Sequence, residues 1–239
     1  MPQTYARLSD RGIGNALSFG NVRSALALSV RPSSTRDRTH LTIAVVPSLA
    51  RLRASLADRT LEPHHQGSNL RAAIAAIFRE HNSQLQVLLI KRAERTGDPW
   101  SGHMAFPGGR FEASDAHLLE TAIRETREEI GLDLEATATV VARLDDIAAI
   151  RSSSGLIITP FVFAHHGDDP IFAPNEEVAE VLWADVAPLM RGERATTLAY
   201  RFGKTDLDLP AYDVGGRIVW GLTYQVLEPL LSRVKSPVP

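Results

Sequence analysis

The chain predicts an α+β fold, with a few helices packed on a mostly antiparallel or mixed sheet. Three observations carry this. Runs of strand length recur at Leu70–Glu80, Leu85–Ala93, Thr139–Ile150, Leu156–His166 and Ala179–Val186. Only two or three segments place apolar residues at helical spacing, and they do not alternate regularly with the strands. The 239 residues, 44% hydrophobic and 23% charged, suit a soluble globular chain of one ordinary domain plus some extra length.

Residues 1–46 hold Arg7, Arg11, Arg23, Arg31, Arg36 and Arg38 against only Asp10 and Asp37, with frequent serine and poor apolar periodicity. They are expected to be a disordered N-terminal extension, with Leu41–Val46 one stray strand at most. Residues 47–239 are expected to be the folded domain. Ser48–Arg59 opens on a capping serine and places Leu49, Leu52 and Leu56 at helical spacing. Residues 61–69 form a polar loop. Leu70–Glu80 and Leu85–Ala93 read as a hairpin turned at His81–Gln84, and a loop punctuated by Gly and Pro follows. Trp183 suits a sheet edge closed against a helix. Gly215-Gly216 signals a hairpin turn. Leu222, Val226, Leu227, Leu230 and Leu231 give the terminal segment Gly221–Val234 a helical stripe.

Composition removes several function classes. A formal net charge of -2 offers no electrostatic case for a nucleic-acid or membrane partner. The chain has no cysteine, which excludes disulfides, thiol catalysis and cysteine zinc sites and makes the cytoplasm the default location. No apolar run approaches the ~20 residues of a membrane-spanning helix.

The informative stretch is FPGGRFEASDAHLLETAIRETREEIGL, residues 106–132. Ser114 or Asp115 is the expected N-cap and Gly131 the expected C-terminal residue. Between them Leu119, Ala122, Ile123, Thr126 and Ile130 form one stripe at about 100° per residue. Glu125 and Glu129 lie nearly above one another, Glu128 is close to both, and Arg124 can pair with Glu128. Most acidic helical faces are merely solvated. Here the Glu125–Glu129 repulsion and the late position of Glu128 and Glu129 against the helix dipole gain nothing structurally. A hard divalent cation, Mg²⁺ or Mn²⁺, would remove both penalties, since it takes oxygen ligands. Gly108 and Gly109 would let backbone approach it.

At these residues the sequence resembles the Nudix hydrolase family. Its signature runs Gly, five residues, Glu, seven residues, then Arg-Glu-U-x-Glu-Glu-x-Gly-U, with U bulky and apolar. Gly109, Arg124, Glu125, Glu128, Glu129, Gly131 and Leu132 fit. Asp115 stands where Glu is usual, eight residues separate it from Arg124, and Thr126 fills a U position. The Asp and the extra residue look like the coenzyme A pyrophosphatase branch, as do ITPFVFA, APNEEVAEVLWADVAPLM and GRIVWGLTYQVL downstream. The preceding loop, GDPWSGHMA, departs from that branch.

The resemblance implies an α/β/α sandwich with a mixed central sheet, and water attack on a nucleoside diphosphate linked to another group. It implies that Glu125, Glu128 and Glu129 bind Mg²⁺ or Mn²⁺, helped by the Gly108 or Gly109 carbonyl, with Arg124 orienting a ligand. Asp115 is expected to cap the helix. The general base is a signature Glu or a later carboxylate, Glu177 ahead of Glu176. Arg92, Arg95 and His103 are candidates to meet substrate, each with a solvated or structural role as the plain alternative. The expected substrate is coenzyme A or an acyl derivative, giving adenosine 3',5'-bisphosphate and a 4'-phosphopantetheine species. Alternatives are ADP-ribose, dinucleotide polyphosphates or nucleoside triphosphates, and a silent ligand-sensing domain. A homodimer is left open.

Overall fold

Asn82 and Ser83 close the central hairpin, and their φ values of 49° and 59° explain why it turns so tightly. Left-handed conformation at both central residues is the two-residue turn whose twist matches the flanking strands. It joins β1 (Arg71–His81) to β2 (Gln84–Arg92) in antiparallel register, with Phe78 opposite Val87. The computed structural model describes residues 46–59, 70–97, 100–148, 155–202 and 205–236. The expected extension (through residue 45) and the expected polar loop 61–69 lie outside them. Val46 has no regular structure.

The first eight residues of β1 are buried, so this strand is covered on both faces and reads as an unbroken apolar run. β1 and β2 pair only from Phe78–His81 to Gln84–Val87 and then splay. The gap is filled by β3 (Met104–Ala105), paired to β2, and β4 (Gly108–Arg110), paired to β1. α2 (Leu118–Ile130) and α3 (Leu134–Thr137) follow. β5 (Ala138–Arg143), β6 (Ile147–Ala148), β7 (Ile157–His165) and β8 (Val178–Asp185) complete the sheet. β7 runs parallel to β1, with Ala73 opposite Thr159, while β5 and β6 are antiparallel to β7 and β8 to β2. The sheet is therefore mixed.

Alternate residues of its strands build two cores. On one face Ala73, Ala75, Ile77, Leu88, Phe161 and Phe163 pack under α2 through Leu118, Ala122 and Ile130. On the other, Ile74, Phe78, Val87 and Leu89 meet three helices: α1 (Leu49–Ser55), α4 (Val186–Met190) and α5 (Gly221–Lys235). Leu52 and Leu56 bind α1 to this core, and Val226, Leu227, Leu230 and Leu231 bind α5. The result is helix, sheet, helix. No helix among the described residues is long and apolar enough to cross a membrane.

Several expectations need correction. The Ser48 cap is present, its hydroxyl accepting from Arg51 N at 3.2 Å, but α1 stops at Ser55 rather than Arg59. Within the expected strand Thr139–Ile150, the described residues form two strands, because the ladder bulges between Val140 and Ala142, breaks after Arg143 and resumes at Ile147. A second sheet from β9 (Ala195–Phe202), β10 (Thr205–Asp213) and β11 (Ile218–Val219) had no clear sequence counterpart beyond the Gly215-Gly216 turn, which does connect β10 to β11. Trp183 lies on edge strand β8, where the Arg79 guanidinium sits 4.1 Å above its ring.

Candidate active site

The splayed hairpin makes the site. Residues 104–110 cross from β2 to β1 inside it: Ala105 pairs with Ile90, and Gly108 with Ile74. The Pro107 carbonyl accepts from Ala75 N at 2.8 Å. Gly108 has φ of +148°, and a Cβ there would stand 2.3 Å from the Ala73 carbonyl oxygen, so only glycine fits. At Gly109 a Cβ would stand 2.4 Å from the Glu125 carboxyl carbon. The two glycines thus hold backbone against backbone on one side and against a carboxylate on the other.

α2 delivers the carboxylates. Its N-cap is His117, whose Nδ1 accepts from Glu120 N at 3.2 Å, while Glu120 reaches back to Ala116 N. Neither Ser114 nor Asp115 caps the helix, because Asp115 is committed elsewhere. Gly131 ends α2 in the left-handed conformation, φ 72°, as expected. The buried side of α2 is Leu118, Thr121, Ala122, Thr126, Glu129 and Ile130, so the stripe is rotated from the expected one, and Leu119 and Ile123 are only partly covered. A glutamate therefore occupies a core position.

Glu129 is 3% exposed and accepts from Gly108 N at 2.8 Å. Burial pushes its carboxyl up to about 8, against the Gly108 N–H. The Glu125 charge pushes the same way, Arg92 opposes it, and Glu177 adds to it. Glu125 is likewise raised by burial, against the attraction of Arg124. Glu128 is half-exposed and turned onto Arg124.

Arg124 organises this edge. Its Nε and Nη2 meet Asp115 at 2.8 and 3.1 Å, its Nη1 meets Glu128 at 3.0 Å and Glu125 at 3.1 Å, and Nη2 also donates to the Arg110 carbonyl at 3.0 Å. Asp115 is 6% exposed and accepts as well from Thr121 Oγ1 at 2.8 Å and Glu112 N at 3.0 Å. Burial alone would raise its carboxyl, but the Arg124 hydrogen bonds, with those from Glu112 and Thr121, hold it below the usual range. Asp115 is the brace for Arg124, not a helix cap.

Among the described residues no three carboxylate or imidazole side chains converge into a ready-made cation cage. Glu125 and Glu129 meet at the glycine turn, while Glu128 does not join them. The donors nonetheless fit a hard divalent cation: they are carboxyl oxygens, and the charges of Glu125 and Glu177 both act against ionisation of Glu129.

Glu177 is fixed by its backbone. Its carbonyl accepts from Ala93 N at 2.7 Å, its N–H donates to Asn175 Oδ1 at 2.8 Å, and Asn175 N donates to the Glu129 carbonyl at 2.9 Å. Its side chain pairs with Arg95 at 3.0 Å, and the more exposed Glu176 with the same arginine at 3.3 Å. Arg92 donates its backbone N–H to the His103 carbonyl at 3.0 Å. His103 packs edge-on to Trp220, ring centres 4.9 Å apart, and Tyr200 lies 5.3 Å from the same ring. Nothing local in the sequence ties the Trp220 or Tyr200 ring to residue 103.

Residues 69–202 match the NUDIX domain family. A protein of Schizosaccharomyces pombe is 38% identical over 117 residues, 47% of this chain but only 35% of its own length. NudL of Yersinia pestis, described as an uncharacterized Nudix hydrolase, is 31% identical over 150 residues, covering 62% of this chain and 72% of NudL. Among solved structures, a MutT/nudix family protein from Enterococcus faecalis aligns with a TM-score of 0.44 at 19% identity, over 78% of this chain and 68% of that one.

Proposed function

The chain belongs to the Nudix family, and on that premise we propose that it hydrolyses the diphosphate of coenzyme A or an acyl-coenzyme A with Mg²⁺ or Mn²⁺. Nudix hydrolases generally use divalent metals. The observation that carries the reading is the buried Glu129 beside Glu125 on the Gly108-Gly109 turn, two carboxyl groups drawn out of water with backbone at contact distance. Coenzyme A is favoured over other nucleoside diphosphates by Asp115 and its eight-residue spacing to Arg124.

In this reading Glu125, Glu128 and Glu129 would hold the metal, with a Gly108 or Gly109 carbonyl. The metal supplies charge neutralisation on the phosphate oxygens and a water of lowered pKa. Arg124, braced by Asp115, positions Glu125 and Glu128. Glu177 is the general base, favoured by its fixed backbone and by its charge acting on Glu129; Arg95 pairs with its carboxylate at 3.0 Å. Arg92, whose charge acts on Glu129, and His103, against Trp220, are the residues assigned to meet the substrate. Water adds to one phosphorus, the bridging P–O bond breaks, and the proton taken from water is released with the products, adenosine 3',5'-bisphosphate and the (acyl) 4'-phosphopantetheine.

A substrate panel with Mg²⁺ tests this. Coenzyme A cleaved to these two products is the expected result. ADP-ribose or a dinucleotide polyphosphate cleaved with coenzyme A untouched would reject the substrate and keep the chemistry.

A further inference from the structure

The ribbon of β9 and β10 is two-faced. Thr196, Leu198 and Tyr200 are half-covered, while Thr197, Ala199 and Arg201 between them are exposed. The register sets Tyr200 opposite Leu207, Leu198 opposite Leu209 and Thr196 opposite Ala211, so one face is largely apolar. The other carries Arg201, Asp206 and Asp208, the first two paired at 2.7 Å. Ala211, at the root, is buried; Leu207, at the outer end, is 41% exposed.

This apolar face looks away from the α5 core. Tyr212 and Val219 point into the core under α5, so Ala211 and Trp220, their neighbours in extended chain, point away from it. Met104 also points into the α5 core, which turns its neighbour His103 away from that core. The rings then form a continuous path, Tyr200 to Trp220 to His103. His103 is joined through its carbonyl to Arg92, whose charge acts on Glu129. One end of the path is the charged site. The other is the ribbon's apolar face, which spans the four residues from Ala211 to Leu207, ~13 Å at about 3.3 Å each.

We propose that this strip, from His103 through Trp220 and Tyr200 to Leu198, Leu207 and Leu209, is the subsite for the apolar tail at the non-nucleotide end of the substrate. It rests on the coenzyme A reading above. The polarity gradient selects the ligand: a charged head at the carboxylates and an acyl chain laid along the leucines. Losing an apolar contact in such a subsite changes selectivity by about tenfold.

The test compares octanoyl-coenzyme A with coenzyme A, on the full chain with Mg²⁺. Leu207→Asp lowers the ratio of their kcat/KM values by about tenfold, through KM for the octanoyl form, and Tyr200→Ala moves the ratio the same way. Asp208→Ala, on the polar face, leaves the ratio unchanged. An equal ratio in wild type and Leu207→Asp overturns the proposal. So does sedimentation showing a wild-type dimer that Leu207→Asp splits, which makes the strip a subunit interface. Should the wild type cleave neither compound, the coenzyme A reading fails by itself. Calorimetric titration of both compounds then decides the strip: tighter octanoyl binding that Leu207→Asp abolishes supports it, and equal affinities overturn it.

Discussion

Glu129→Gln should make the metal-free protein more stable, and only at high pH. The Glu129 carboxyl is lifted by burial from its ordinary 4.5 to about 8. Its native form therefore holds a proton that the unfolded chain has released. Across that window the native state binds more protons, so wild-type stability falls as pH rises from about 4.5 to about 8. At ~1.4 kcal/mol per unit the full loss is roughly 4–5 kcal/mol, an upper bound since the native structure can relax. Glutamine does not titrate. Its amide oxygen can keep the 2.8 Å bond from Gly108 N, and its NH₂ replaces repulsion of Glu125 with attraction. Urea unfolding in EDTA should give nearly equal stabilities at pH 5 and an advantage of about 2–4 kcal/mol for Glu129→Gln at pH 9. Saturating Mg²⁺ should stabilise the wild type more than the variant. A variant less stable at pH 9, or a difference independent of pH, would refute the burial argument.

The two glycines should respond differently. Gly108→Ala drives a Cβ into the Ala73 carbonyl at a positive φ, and should destabilise the fold by about 2 kcal/mol or more in urea unfolding. Gly109→Ala meets only the movable end of Glu125, so unfolding should change little while Mn²⁺ affinity, read by electron paramagnetic resonance, falls at least tenfold. Asp115→Ala leaves Arg124 without its buried partner and Thr121 Oγ1 without an acceptor. It should lower stability by about 3 kcal/mol in thermal or urea unfolding and lower kcat as well.

Much of the fold was legible where local chemistry and burial agree. The β1–β2 hairpin, β7, β8 and α5 carry long apolar runs or clean stripes, and each formed within a residue or two of its expected bounds. The stripe of α2 was misplaced because Glu129 holds a core position, and apolar periodicity cannot assign a carboxylate to a core. Asp115 looked like a cap because it precedes the helix. Its real partner, Arg124, is nine residues on and comes near only once α2 forms. The β9–β10 ribbon was obscured because its polar face carries arginine and aspartates and its apolar face is small. Arg95 and Glu177 are 82 residues apart, so only the pairing of β2 with β8 brings them together.

The most direct measurement is the initial rate of coenzyme A cleavage with Mg²⁺ or Mn²⁺ in wild type and Glu129→Gln, with products identified by mass. The wild type should release adenosine 3',5'-bisphosphate and 4'-phosphopantetheine only when metal is present. The folded variant should lose activity by roughly 10²-fold or more. Equal rates in the two proteins, or cleavage unaffected by EDTA, would contradict a metal held by these carboxylates.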